Sequence, residues 1–140
     1  MTTPPLFVDT NVFLRFLTRD EPRQAEECRR LFERAEAGEL HLTTSHLALA
    51  EIAWTLQSYY RLPREEIAAV LRDVLSLRSL RIDYRDMLRE AISHYRARNV
   101  DFIDAYHAAD IRRRKLSQIC SYDRDFDTLD VARVEPAAAI

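Results

Sequence analysis

Glycine is almost missing from this 140-residue chain, where Gly38 stands alone. A dinucleotide-binding fingerprint and a P-loop each need several glycines so that backbone can approach phosphate, and both are therefore excluded. Cysteine is scarce as well. Cys28 and Cys120 are too few for a disulfide framework or a four-cysteine zinc site, and a reducing cytoplasm is the expected setting. Lysine occurs once, at Lys115, among 21 basic residues, which argues against lysine-centred catalysis. No apolar run approaches the ~20 residues of a membrane helix. Met1 to Pro5 carries neither a basic region nor a long apolar segment, so neither a membrane association nor a signal peptide is expected. An excess of one charge is missing too, since 21 basic residues face 23 acidic ones for a net charge of -2. That balance by itself offers no reason to expect a nucleic-acid partner.

What is present is a globular composition, 47% hydrophobic and 31% charged, of a length that suits one domain over residues 1–140. Leu6-Phe7-Val8 is a short apolar run between Pro5 and Asp9, which fits a buried strand. The spacing of Ala25, Cys28, Leu31, Phe32 and Ala35 predicts a helix over about 21–37, with Asp20 as its N-cap and Gly38 as a left-handed C-terminal cap. Leu40 to Thr43 fits a second strand. Ser45 caps a helix to about Tyr60 that is apolar on so many sides that burial is expected. Pro63 opens another, with Ile67, Val70, Leu71, Val74 and Leu75 as its stripe. Leu80 to Ile82 fits a strand, Met87 to Tyr95 a helix, and Asp101 caps a helix to about Arg114. Gln118 to Ser121 and Val131 to Val134 close the chain as strands. Short strands alternating with helices predict an α/β domain with a parallel sheet, whose sites form at the carboxyl ends of strands.

Carboxylates collect at those places. Asp9 follows the first strand and Asp123 follows the Gln118 strand, although an Asp there can also be a plain turn former. Glu51 lies in the most apolar helix, where an ionised group needs a partner. It either pairs with an arginine on a polar stripe or lines an acidic pocket. Asp101 and Asp104 both suit a helix start, yet at i and i+3 they also share a face, which joins Asp9 and Asp123 if it looks at the strand ends. If Asp9, Glu51, Asp104 and Asp123 converge, each pair ~4 Å apart repels by about 4 kcal/mol at a near-surface dielectric. Either pKa values rise or a cation enters. An all-oxygen site suits Mg²⁺ or Mn²⁺ rather than zinc. No thiolate or hydroxyl nucleophile sits beside a base, so metal-activated water becomes the attacking group and phosphodiester hydrolysis the reaction. Placing four of the 23 acids in one pocket leaves 19 against 21 basic residues, a balance compatible with RNA.

Val8-Asp9-Thr10-Asn11-Val12, Glu51 in its apolar helix, Asp101-Phe102-Ile103-Asp104-Ala105 and Ser121-Tyr122-Asp123-Arg124-Asp125-Phe126 follow in order over almost the whole chain. Together they resemble the PIN-domain family and, within it, the VapC-type toxins of toxin–antitoxin modules. The resemblance implies a three-layer α/β/α nuclease with a short, mostly parallel central sheet, dependent on Mg²⁺ or Mn²⁺ and cutting RNA. It puts the metal-binding and catalytic acids at Asp9, Glu51, Asp104 and Asp123. Asn11 matches a polar residue supporting the first acid, and Ser121 a small hydroxyl residue near the last. Asp101 and Asp125 match supporting groups around them. It further implies a VapB-like antitoxin whose tail enters the active-site groove, and a homodimer. Related sequences often carry glycine where Asn99 and Asp130 stand, residues that tolerate left-handed turns, and a smaller aliphatic residue where Tyr106 stands.

Arg15, Arg19 and Arg124 lie near the acids in sequence and are candidate phosphate contacts. The run Arg112-Arg113-Arg114-Lys115 sits at a helix C-terminus, where cations are favourable without any ligand. The four histidines show no metal-ligand spacing, and His46 reads as structural. Trp54, Tyr59 and Tyr60 read as core or interface residues rather than base-stacking platforms. An aspartyl-nucleophile phosphatase is disfavoured because Asp9-Thr10-Asn11-Val12-Phe13 lacks its second Asp and its Thr. A phospho-receiver domain is disfavoured by the position of Lys115. The remaining alternatives are a PIN nuclease of RNA processing that is not a toxin, and a non-catalytic module on the same scaffold.

Overall fold

A computed structural model describes residues 4–140. Its elements run β1 (Leu6–Phe7), α1 (Thr10–Thr18), α2 (Pro22–Glu36), β2 (Leu42–Thr43), α3 (His46–Ser58), α4 (Arg64–Leu75), β3 (Leu80–Arg81), α5 (Arg85–Ala97), α6 (Phe102–Arg113), β4 (Gln118–Cys120), a 3₁₀ turn (Arg124–Thr128), β5 (Ala132–Val134) and α7 (Pro136–Ala139). Every ladder is parallel. β1 pairs with β2 and β2 with β3, while β4 pairs with β5 as a separate two-stranded ladder. The register sets Leu6 beside Leu42 and Leu42 beside Leu80. The expected α/β class is what the structure has, with strands of two or three residues.

The helices form where local chemistry starts and stops them. Ser45 Oγ accepts from the Ala48 amide at 3.1 Å, which caps α3. Pro22 occupies the first turn of α2, where its missing N–H costs nothing. The N-cap of α2 is Glu21, not the expected Asp20, whose carboxylate instead accepts from the Tyr60 hydroxyl. At the other end Gly38, at φ +80°, completes a Schellman motif: its amide bonds Ala35 O at 3.0 Å and the Glu39 amide bonds Arg34 O at 2.9 Å. α1 was not legible as a helix, because it begins at once after Asp9 and its apolar Val12, Phe13, Phe16 and Leu17 follow without a linker. Residues 4–140 contain no helix long and apolar enough to cross a membrane.

The core lies between the sheet and the helices. Ile67, Leu71 and Leu75 of α4 and Leu88, Ile92 and Tyr95 of α5 are essentially inaccessible. Ala105, Ala108 and Ala109 of α6 are equally buried and let α5 and α6 approach closely. Two expected burials are corrected. Leu6 and Phe7 of β1 are exposed and only Val8 at its end is buried, because β1 is an edge of the three-stranded ladder. α3 is also not buried all round. Leu47, Glu51 and Trp54, spaced to share one side, face outward, while Leu49, Ile52, Ala53 and Leu56 fill the core.

With one glycine available, left-handed backbone falls to other residues. Arg19, Arg61, Ser79, Tyr84, Lys115 and Asp130 all have positive φ. Asp130 thus takes the conformation expected of it. Asn99 does not, and its side chain accepts from Arg64 at 3.5 Å instead. Left-handed backbone costs a residue with a Cβ roughly 1–2 kcal/mol, more than the unfolded-state entropy lost with glycine. Ser79→Gly, at φ 66°, is therefore expected to stabilise the fold by about 0.5–1 kcal/mol. A melting temperature a few degrees above wild type checks this, and a lower one contradicts it.

Candidate active site

The carboxyl ends of the strands are built as follows. β1 is followed by Val8, whose amide bonds Thr43 O at 2.8 Å and whose carbonyl accepts from buried Thr44 Oγ1 at 2.8 Å. That double tie fixes the point where Asp9 leaves the sheet. Asp9 is the N-cap residue of α1, yet its side chain makes no capping bond and stays exposed. Thr10, 3% exposed, turns inward and donates to Glu51 Oε2 at 3.4 Å. One hydroxyl thus links the first turn of α1 to the middle of α3. Glu51 itself is exposed rather than buried, because it lies on the outer side of α3.

A second group gathers where α6 starts and β4 ends. Asp101 is the N-cap residue of α6 without a side-chain cap bond, and Asp104 lies in the first turn. After β4, Ser121 Oγ accepts from the Asp123 amide at 3.0 Å, and Asp123 Oδ1 accepts from the Asp125 amide at 2.9 Å. These two turns fold the chain back, so that carboxylate oxygens of Asp104, Asp123 and Asp125 all lie within 4.8 Å of one another. Asp125, expected only as a supporting group, is therefore in the cluster, and the bond from its own amide to Asp123 is the reason. Asp9 and Glu51 are not part of that group. Asp101, Asp104 and Asp123 line one cavity of about 320 Å³ together with α3 residues that include Trp54 and Gln57.

The electrostatics follow from the packing. Partial burial raises the Asp104 carboxyl above the usual range, the negative charges of Asp123, Asp101 and Asp125 raise it further, and His107 acts weakly the other way. The donor set is oxygen only, without histidine or cysteine, which is the chemistry of a Mg²⁺ or Mn²⁺ ligand set rather than of zinc.

The remaining candidates scatter. Arg124 opens the 3₁₀ turn beside Asp123. Asn11 is exposed in the first turn of α1. Arg15 lies on the other end of α1, where its charge acts on Cys28 of α2. Arg19 lines a different cleft, with Phe16, Pro22 and Arg29. The basic run is largely engaged, with Arg112 on Glu90 at 3.1 Å, Arg113 on Asp110 at 2.8 Å and Arg114 on Asp110 at 3.8 Å. His46 Nδ1 meets the Tyr106 hydroxyl at 2.7 Å and its Nε2 donates to Asp83 O at 2.7 Å. That pairing gives Tyr106 a structural purpose, since a smaller aliphatic side chain could not tie α6 to the start of α3. Thr10 escaped the sequence reading because a hydroxyl between two motif residues gives no separate signal.

A parallel α/β fold that gathers carboxylates at its strand ends belongs to the class of α/β scaffolds whose sites form at the carboxyl edge of the sheet. The PIN domain model matches residues 6–132, and the chain belongs to the PIN domain family. It is 26% identical over 129 residues, 92% of this chain and 95% of the relative, to a VapC ribonuclease of Aquifex aeolicus (strain VF5).

A carboxyl whose pKa is higher in the folded state holds its proton more tightly there. Stability then falls as pH rises from the ordinary Asp range to the raised value, and the whole loss persists above it. In the presence of a chelator at about pH 7, Asp104→Asn is accordingly expected to melt above wild type. The gap should close near pH 3.5, roughly where Asp itself becomes neutral. Thermal melts at the two pH values check this, and a variant no more stable than wild type at pH 7 contradicts it.

Proposed function

We propose that this chain is a divalent-metal-dependent endoribonuclease that hydrolyses RNA phosphodiester bonds, and that it acts as the toxin of a toxin–antitoxin pair. The observation that carries this reading is the approach of Asp104, Asp123 and Asp125 to within 4.8 Å of one another at the strand ends of a PIN domain. Three ionised carboxylates held that close favour a small divalent cation. RNA as the substrate is supported by the likeness to the VapC ribonuclease.

In this reading Asp104 and Asp123 hold Mg²⁺ or Mn²⁺ with Asp125 beside them, and Asp9 and Glu51 complete the acidic wall from the side of α1 and α3. Bound there, the ion supplies charge for the phosphate and an acidified water as nucleophile. The protein's own groups prepare that site. Ser121 fixes the turn that aims Asp123, and Thr10 directs one Glu51 oxygen. Asp101, in the same cavity as Asp104, adds to the field that attracts the cation. Asn11 flanks Asp9, and Arg124, which opens the turn beside Asp123, would contact a phosphate in this reading. A VapB-like antitoxin blocking the acidic groove, a homodimer and a cytoplasmic location belong to the same reading.

The purified protein is expected to cleave single-stranded RNA with Mg²⁺ or Mn²⁺ and to stop on adding EDTA. Asp104→Asn and Asp9→Asn should each lower the cleavage rate by a hundredfold or more while leaving the circular-dichroism spectrum unchanged. Cleavage undiminished in EDTA, or near wild type in both variants, would overturn the assignment. Expression without an antitoxin should arrest growth, and the Asp104→Asn variant should not. Growth unaffected by the wild type contradicts the toxin part alone.

A further inference from the structure

The cavity that holds Asp104 and Asp123 has a second wall with a different chemistry. Ala50, Trp54, Gln57 and Ser58, one face of α3, line it opposite the start of α6. Trp54 is 67% exposed there, and Ile103 on the facing wall is 46% exposed. A tryptophan that free of the core presents a large flat apolar surface to solvent. Gln57 is held from beneath. The hydroxyl of Tyr95, itself 1% exposed, donates to Gln57 Oε1 at 3.2 Å. Tyr95 is steadied in turn by the Arg64 guanidinium 4.3 Å above its ring. With its oxygen engaged by Tyr95, the Gln57 amide offers its Nε2 donors to the cavity.

We propose that Trp54 and Gln57 form a base seat beside the acidic cluster, in which one unpaired RNA base stacks on the Trp54 indole and a carbonyl oxygen of that base accepts from Gln57 Nε2. The seat rests on the ribonuclease reading above. The cavity, about 320 Å³, is in the range of small-molecule clefts, and it opens on the carboxylates, so a seated base carries its own phosphate toward them. Unpaired bases are recognised in this way, by an aromatic face for stacking and an amide or hydroxyl for the edge. Uracil, guanine and cytosine each offer an exocyclic oxygen to this donor, whereas adenine offers only ring nitrogens at different positions, so the seat favours the oxygen-bearing bases by geometry. Trp54, expected from sequence to be a core or interface residue, is thus a stacking residue for the substrate, and Gln57 the residue that selects among bases.

Trp54 is the only tryptophan in the chain, so its emission reports on the seat directly. The test uses the cleavage-silent Asp9→Asn protein, which keeps the Asp104 cluster, with Mg²⁺ and 5′-labelled hexauridylate, following label anisotropy and tryptophan emission together. Binding should quench the emission. Trp54→Ala should weaken binding about tenfold to a hundredfold, the equivalent of one lost stack, whereas Trp54→Phe should retain most of it. Gln57→Leu should shift the ratio of hexauridylate to hexaadenylate affinity toward adenine by about fivefold or more. Binding without quenching, or an affinity ratio that Gln57→Leu leaves unchanged, overturns the seat while the nuclease reading stands. No binding of either oligonucleotide by anisotropy overturns the nuclease reading itself.

Discussion

The constraint on which this structure turns is the repulsion among carboxylates at the strand ends. Asp104, Asp123 and Asp125 carry like charges within a few ångströms, and Asp101 adds another at the mouth of the same cavity. Such a group spreads apart unless something stiffer holds it. Here the stiff parts are backbone: the first turn of α6, packed on α5 through small residues, and the two side-chain-to-amide bonds of Ser121 and Asp123. Of the carboxylate oxygens, these bonds engage only Asp123 Oδ1. The energy of folding, supplied by the core of α4, α5 and α6, is what keeps the charges together. Burial first, and the neighbouring carboxylates after it, raise the Asp104 carboxyl above its usual range.

The same logic explains the shape of the site around the cluster. Asp9 and Asp101 both occupy N-cap positions without capping. An Asp in that place ordinarily bonds its own helix amides. Leaving both side chains free sacrifices helix stability for negative charge directed outward, a pattern that fits function better than folding. Arg64 shows the opposite arrangement. It bonds Tyr95 O at 2.9 Å and Val100 O at 2.6 Å, and so secures the loop that delivers Asp101.

Much of this was legible in the sequence, for identifiable reasons. Ser45, Pro63 and Gly38 act within a few residues of themselves, and their caps formed where their chemistry puts them. Helix stripes such as Ile67, Leu71 and Val74 declare their buried face by spacing alone. Strand-end positions and the family resemblance grouped Asp104 and Asp123 with Asp9 and Glu51, and Asp104 and Asp123 do lie together. What was hidden depends on tertiary placement. That Glu51 is exposed follows from which side of α3 has no neighbour, and hydrophobicity does not encode that. That Asp125 enters the cluster follows from one turn after Asp123. Trp54 and Gln57 came to light only when α3 and α6 faced each other across a cavity. Asn99 stays outside the left-handed region, and its side chain meets Arg64, a residue far away in the chain.

The central claim is that the Asp104 cluster is a divalent-cation site. Electron paramagnetic resonance of Mn²⁺ added to the protein near pH 7 measures it most directly, since free Mn²⁺ gives a sharp signal that disappears on binding. Saturable loss of that signal is expected with wild type and little loss with Asp104→Asn at the same protein concentration. Equal Mn²⁺ binding by the two proteins, or none by wild type, would contradict it.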